Sequence, residues 1–276
     1  VCATFVTAAS AQQTTIAGPA LGMANYDPTM SAREAVLANW ELAVSGIRAG
    51  RVLGENVVEL ADKDVPFAVL ARQATFAQKT MVQRYNAAQW VYTDGSGVVA
   101  YPVGNALAAA VASTGLVCDA PPCPQERAAL KNAFKAATLA LEEASVSARG
   151  ALTAREDLPD QVLMTEQLTL LADFLERGDW AEGFALTAFN RDAEELAARM
   201  VGAMSLWRNV EPYVGTASPE IDDAINVAAQ QLLRTLRQTT RGAGALAPNG
   251  PELTAITEKA GSLAQEFRRA AGLFAT

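Results

Sequence analysis

Apolar residues recur at alternating intervals of three and four through most of this chain, and no other feature constrains its fold as strongly. Phe67, Leu70, Ala74, Ala77 and Met81 set the pattern, and Tyr85, Ala88 and Tyr92 continue it. A helix turns about every 3.6 residues, so side chains at this spacing share one face; a half-buried strand would need a period of two. Such a stripe is buried by packing on other helices, at the seam spacing of antiparallel bundles.

Start and stop signals divide the pattern into segments. Ser31-Ala32-Arg33-Glu34 reads as a capping box, in which the serine and the glutamate satisfy each other's backbone donors. Leu37, Trp40, Val44 and Ile47 then share a face. Gly50 and Gly54 weaken that helix, so a second piece is expected from Glu55 to Ala61. Pro66 suits the first turn of the next helix, whose stripe ends at Asp94-Gly95-Ser96-Gly97. Residues 98–117 are expected to hold a short extended piece and then a buried, alanine-rich helix. Only there would a strand fit.

The second half is more regular. Pro124 opens a helix with Leu130, Phe134, Ala137 and Leu141 on one face. The next begins at Asp157 or Asp160, carries Met164, Leu168, Leu171 and Leu175, and stops at Gly178. Asp179-Trp180-Ala181-Glu182 repeats the capping-box pattern ahead of Phe189, Ala193, Leu196, Met200, Ala203 and Trp207. Ser218 and Pro219 start a helix with Ile221, Ile225, Leu232 and Leu236. Gly242 to Gly250 reads as a linker, and Pro251 opens a last helix through Leu253, Ile256, Leu263, Phe267 and Phe274. The expectation is an all-α antiparallel bundle of about seven to nine helices, as one body or two packed sub-bundles. Short connections imply that successive helices pack as neighbours. The expected divisions are a leader remnant at 1–11, an irregular arm at 12–30, an N-terminal helical part at 31–117 and a C-terminal helical bundle at 118–276.

The chain has no histidine. Ser-His-Asp and Cys-His mechanisms lack their general base, and the usual catalytic zinc and histidine-ligated haem sites lack a ligand. Glu-x-x-His di-iron bundles are excluded for the same reason. Lysine and carboxylate chemistry stays open. The acidic pairs Glu142-Glu143, Glu194-Glu195 and Asp222-Asp223 are adjacent in sequence, so on a helix their side chains diverge by about 100° and suit solvated faces. Gly95-Ser96-Gly97 lacks the flanking residues of a nucleophile elbow or a phosphate loop and reads as a turn. The net charge of −8 disfavours a phosphate backbone as partner. Arg234, Arg237 and Arg241 suit a solvated helix end. No catalytic residue, metal or cofactor is assigned.

Val1 to Ala11 is small, apolar and uncharged, and ends in Ala9-Ser10-Ala11 before a polar Gln-Gln-Thr-Thr run. It looks like the second half of a secretory signal peptide cleaved after Ala11, which places the protein in the periplasm or outside the cell. Elsewhere no apolar run reaches the roughly 20 residues of a membrane span, so no transmembrane segment is expected after cleavage. Cleavage would remove Cys2 and leave Cys118 and Cys123 around Asp119-Ala120-Pro121-Pro122. A structural disulfide closing that turn suits an oxidising compartment; a redox pair would favour Cys-x-x-Cys.

Trp40 and Trp207 lie on apolar stripes and read as core. Trp90, Tyr92, Tyr101 and Trp180 lie at segment ends, where aromatics either anchor the edge of a core or line a binding surface. Core is the favoured place for them; if the chain has a binding surface, these four mark where to look first. Ala24-Asn25-Tyr26-Asp27-Pro28-Thr29, followed by long helices, resembles a segment of the TrbJ-type minor pilus components of type IV secretion. The resemblance implies an exported helical component of a secretion assembly. The residues as a whole suggest an exported, non-enzymatic scaffold with a protein partner in the cell envelope. A ligand-binding or sensory bundle is the other reading, and a carboxylate-dependent enzyme the third.

Overall fold

Ser31 and Glu34 form the expected capping box: the Ser31 backbone N–H donates to the glutamate, and the Glu34 N–H donates to the serine hydroxyl. From this cap α1 runs unbroken over Ala32–Ala61. In the computed structural model, residues 30–92, 96, 98, 103–118, 121–177, 193–239, 246, 247 and 250–275 are described. They contain α1, α2 (Phe67–Ala87), a 3₁₀ turn (Gln89–Tyr92), α3 (Val103–Ser113), α4 (Pro124–Thr153), α5 (Asp160–Arg177), α6 (Ala193–Ala217), α7 (Pro219–Thr239) and α8 (Pro251–Phe274). The described residues are all-helical, with eight α-helices and no strand. None of these helices is long and apolar enough to cross a membrane. The leader remnant, all but the last residue of the arm, the Asp179 capping box with Phe189, and most of the Gly242–Gly250 linker lie outside the described residues.

The apolar stripes face inward. Trp40, Val44 and Ile47 of α1, Leu130, Phe134 and Leu141 of α4, and Ile256, Leu263 and Phe267 of α8 belong to one hydrophobic cluster. Each such large side chain contributes roughly 1.5–3 kcal/mol on burial.

Two expectations about α1 and its neighbours are corrected. The glycines do not divide α1, which runs unbroken through both with side chains of α4 against them. A Cβ at Gly54 would stand 2.4 Å from the Thr138 hydroxyl oxygen, and one at Gly50 would stand 3.5 Å from Leu141 Cδ1. At Gly54 the packing permitted outweighs the helix propensity lost. α1 and α4 run antiparallel, with Arg51 beside Glu142 partway along the pair and Asp62 beside Lys131 at the end of α1. Arg127 donates to the carbonyls of Ala61, Lys63 and Val65, satisfying acceptors just past the end of α1.

Nor do all successive helices pair. α5 packs chiefly on α8 and also touches α1, while α4 packs on α1 and α3. The turn between α4 and α5 is held away by Arg33 of α1, which pairs with Asp160 at 3.0 Å and donates to the Glu156 and Leu158 carbonyls. Buried Arg155 occupies the same turn.

The α2 stripe also ends differently from its period. At Ala88 the N–H is shared between the carbonyls of Arg84 and Tyr85, and the chain tightens into the 3₁₀ turn that carries Trp90 and Tyr92. Residues 103–113 form the alanine-rich helix anticipated there, with Val103, Leu107 and Ala110 inward.

Candidate functional site

The tightened turn after α2 carries Trp90 into the core. Its ring meets Trp40 edge to face at a centroid distance of 5.1 Å, and only 1% of its surface is exposed. The Arg155 guanidinium lies over the Trp40 ring, 4.2 Å from its centroid. Arg155 Nε faces Glu166 Oε2 at 3.1 Å, and Arg155 Nη1 donates to the Ala151 carbonyl at 2.8 Å. Burial lowers the pKa of this guanidinium, and the Glu166 carboxylate opposes that shift. Cation–π contact and ion pair together compensate a charge inside the protein.

Tyr92 packs against Tyr85 with ring centroids 5.5 Å apart. Its hydroxyl is buried and makes no hydrogen bond among the described residues. Burial, with a smaller contribution from Tyr85, pushes its pKa far up. A phenol in that state holds its proton at neutral pH and serves as neither base nor nucleophile. Of the four aromatics singled out by the sequence, then, Trp90 is core and Tyr92 lies beside it. Tyr101 and Trp180 fall outside the described residues.

A second polar layer escaped the sequence reading. Arg199 Nε donates to Asn86 Oδ1 at 2.8 Å, and both residues are buried. Asn209 donates to Asn39 Oδ1 at 2.6 Å, and Asn39 in turn donates to the Leu206 carbonyl. These contacts tie α6 to α1 and α2. The available signal was an asparagine directly before a core tryptophan and an arginine directly before a core methionine. Gln167 is also fully buried, and its amide nitrogen and oxygen make no hydrogen bond among the described residues.

The outside of α4 offers a different kind of surface. Its inner stripe, from Leu130 through Phe134 and Leu141 to Ala148, is buried. The opposite face is exposed from Ala128 to Gly150 and includes Leu139 at 57% and Val146 at 70% exposure. An open groove of about 530 Å³ runs beside it against α1, lined by Glu55, Glu59, Asp62, Lys131, Lys135 and Thr138. Lys131 is paired with Asp62 at 2.5 Å. Lys135 and Glu143 are exposed and form no ion pair among the described residues. This combination of apolar centre and flanking charge suits contact with a protein surface. Cys118 and Cys123 are joined as a disulfide just before α4, with Cα atoms 5.8 Å apart.

No protein-family model matches the chain, nor does any curated protein or solved structure compared with it.

Proposed function

We propose that the protein is an exported helical scaffold that binds a protein partner in the cell envelope through the outward face of α4. The observation that carries this reading is the exposure of Leu139 and Val146 on a helix whose other side is packed. Exposed large apolar side chains cost solubility, and burying them in a contact recovers free energy. The Cys118–Cys123 pairing supports export, because such bonds persist in oxidising compartments. The Ala24 to Thr29 resemblance points toward a surface or secretion assembly. The aromatic centre supports a structural role for Trp90 and Tyr92, since their surroundings are core and not cleft.

A second reading, a ligand-binding bundle, draws on the buried Gln167 amide, which could meet a small polar ligand. Pull-down from an envelope extract separates the two. The scaffold reading expects one protein recovered in near-stoichiometric amount with wild type and lost with the Leu139→Glu/Val146→Glu double variant. Recovery of no protein, an untagged copy of the chain included, or equal recovery with both proteins, overturns it.

A further inference from the structure

We propose that the partner seated on the α4 face is a second copy of this chain, paired antiparallel about Leu139; this rests on the reading of that face as a contact surface. The α4 face is complementary to itself. Lys135, Leu139 and Glu143 are spaced by four, so they form one ridge along the exposed face of α4. In a two-fold symmetric antiparallel pair, a residue a given number of positions before the centre meets the residue the same number after it on the other copy. With Leu139 at the centre, Lys135 meets the second copy's Glu143, and the reverse contact forms by symmetry. Asn132 falls toward the second copy's Val146, both on the exposed face. Glu142 falls toward Ala136 and Arg149 toward Ala129, so no like charges are set together.

The packing is also consistent. When the four-spaced ridges of two helices lie side by side, the helices cross at about −50°. That rotation aligns the Lys135–Leu139–Glu143 ridge with its copy. Each Leu139 then enters the groove between the other copy's Leu139 and Val146 ridges. Lys135 and Glu143 suit this role because neither is engaged in an ion pair within the described residues, whereas nearby Glu142 is held by Arg51 at 3.4 Å.

Sedimentation equilibrium of the full chain at low salt, from micromolar to millimolar concentration, tests this. The wild type should form a dimer and no higher species. Lys135→Glu and Glu143→Lys should each weaken it about tenfold, since each puts two like-charge contacts in place of two ion pairs. The combined K135E/E143K protein should recover to within about threefold of wild type, because the swap restores both pairs. Far-ultraviolet circular dichroism should match across the set, as should Tm at concentrations where every protein is monomeric, as all the positions are exposed. A wild type that stays monomeric throughout overturns the inference. So does a dimer that is indifferent to the single changes, or a combined variant that does not recover. A monomeric wild type whose capture of another envelope protein is lost on Leu139→Glu overturns self-pairing and leaves the broader reading standing.

Discussion

Gly50 and Gly54 stand about one turn apart on α1, and their surroundings give them opposite roles. At Gly54 a methyl group would meet the Thr138 hydroxyl, which is held in place by its bond to the Phe134 carbonyl at 2.8 Å. Gly54→Ala should therefore destabilise the protein by about 1–3 kcal/mol through overpacking, despite its better helix propensity. At Gly50 the nearest atom is at ordinary contact distance, so Gly50→Ala should stabilise it by roughly 0.5–1 kcal/mol. Urea denaturation of both variants reads the difference. The sequence marks both glycines as weak points of a helix, because propensity is local and the approach of α4 is not. Asp222 offers a test by pH. Burial first, then Glu211 and Asp223, raises its pKa, with the Asn226 hydrogen bond opposing. The folded state thus holds the Asp222 proton more tightly than the unfolded chain, and this term loses stability as pH rises from the unfolded to the folded pKa. Asp222→Asn removes that loss. Its stability advantage over wild type should grow as pH climbs through the carboxylate range and shrink toward acid; an advantage that is constant with pH contradicts the assignment.

α4 was the most legible element, and its neighbours show why others were not. Pro124, the stripe from Leu130 to Leu141, and the cysteine pair before it are all local signals, and the structure places each as read. The closed turn is short, so replacing both Cys118 and Cys123 by serine should cost about 2 kcal/mol at most in the chain-entropy account. Thermal unfolding with and without reductant checks this, and a loss well above that bound contradicts it. The direction α5 takes after α4 was not legible. It depends on Arg33, more than a hundred residues away, reaching the turn before Asp160. Likewise the period of α2 runs through Tyr92 without showing that the backbone tightens at Ala88. Trp90 is turned into the core by that change, the core-anchor alternative that a segment-end aromatic leaves open.

Across the whole molecule, the period of the apolar residues was enough to predict an all-helical architecture, since every stripe needs another helix to cover it. It could not identify the buried polar layer of Asn39, Asn86, Arg199 and Asn209, because polar residues are placed inside by partners far apart in sequence. Nor could it distinguish the α4 outer face from any other solvated face. The packing shows that Leu139 and Val146 are left uncovered while the opposite side of the helix is filled, with Phe76 on α2 and Val227 on α7 exposed singly elsewhere. The account therefore rests on that face. Its most direct test is a photo-reactive benzophenone amino acid placed in turn at Leu139, at Val146 and, as a control, at Val227 of α7, which is 54% exposed, and irradiated in intact cells. The account predicts one discrete adduct from positions 139 and 146, at twice the chain mass where the partner is a second copy, and none from 227. No adduct at 139 and 146, or the same adducts at all three positions, would contradict it.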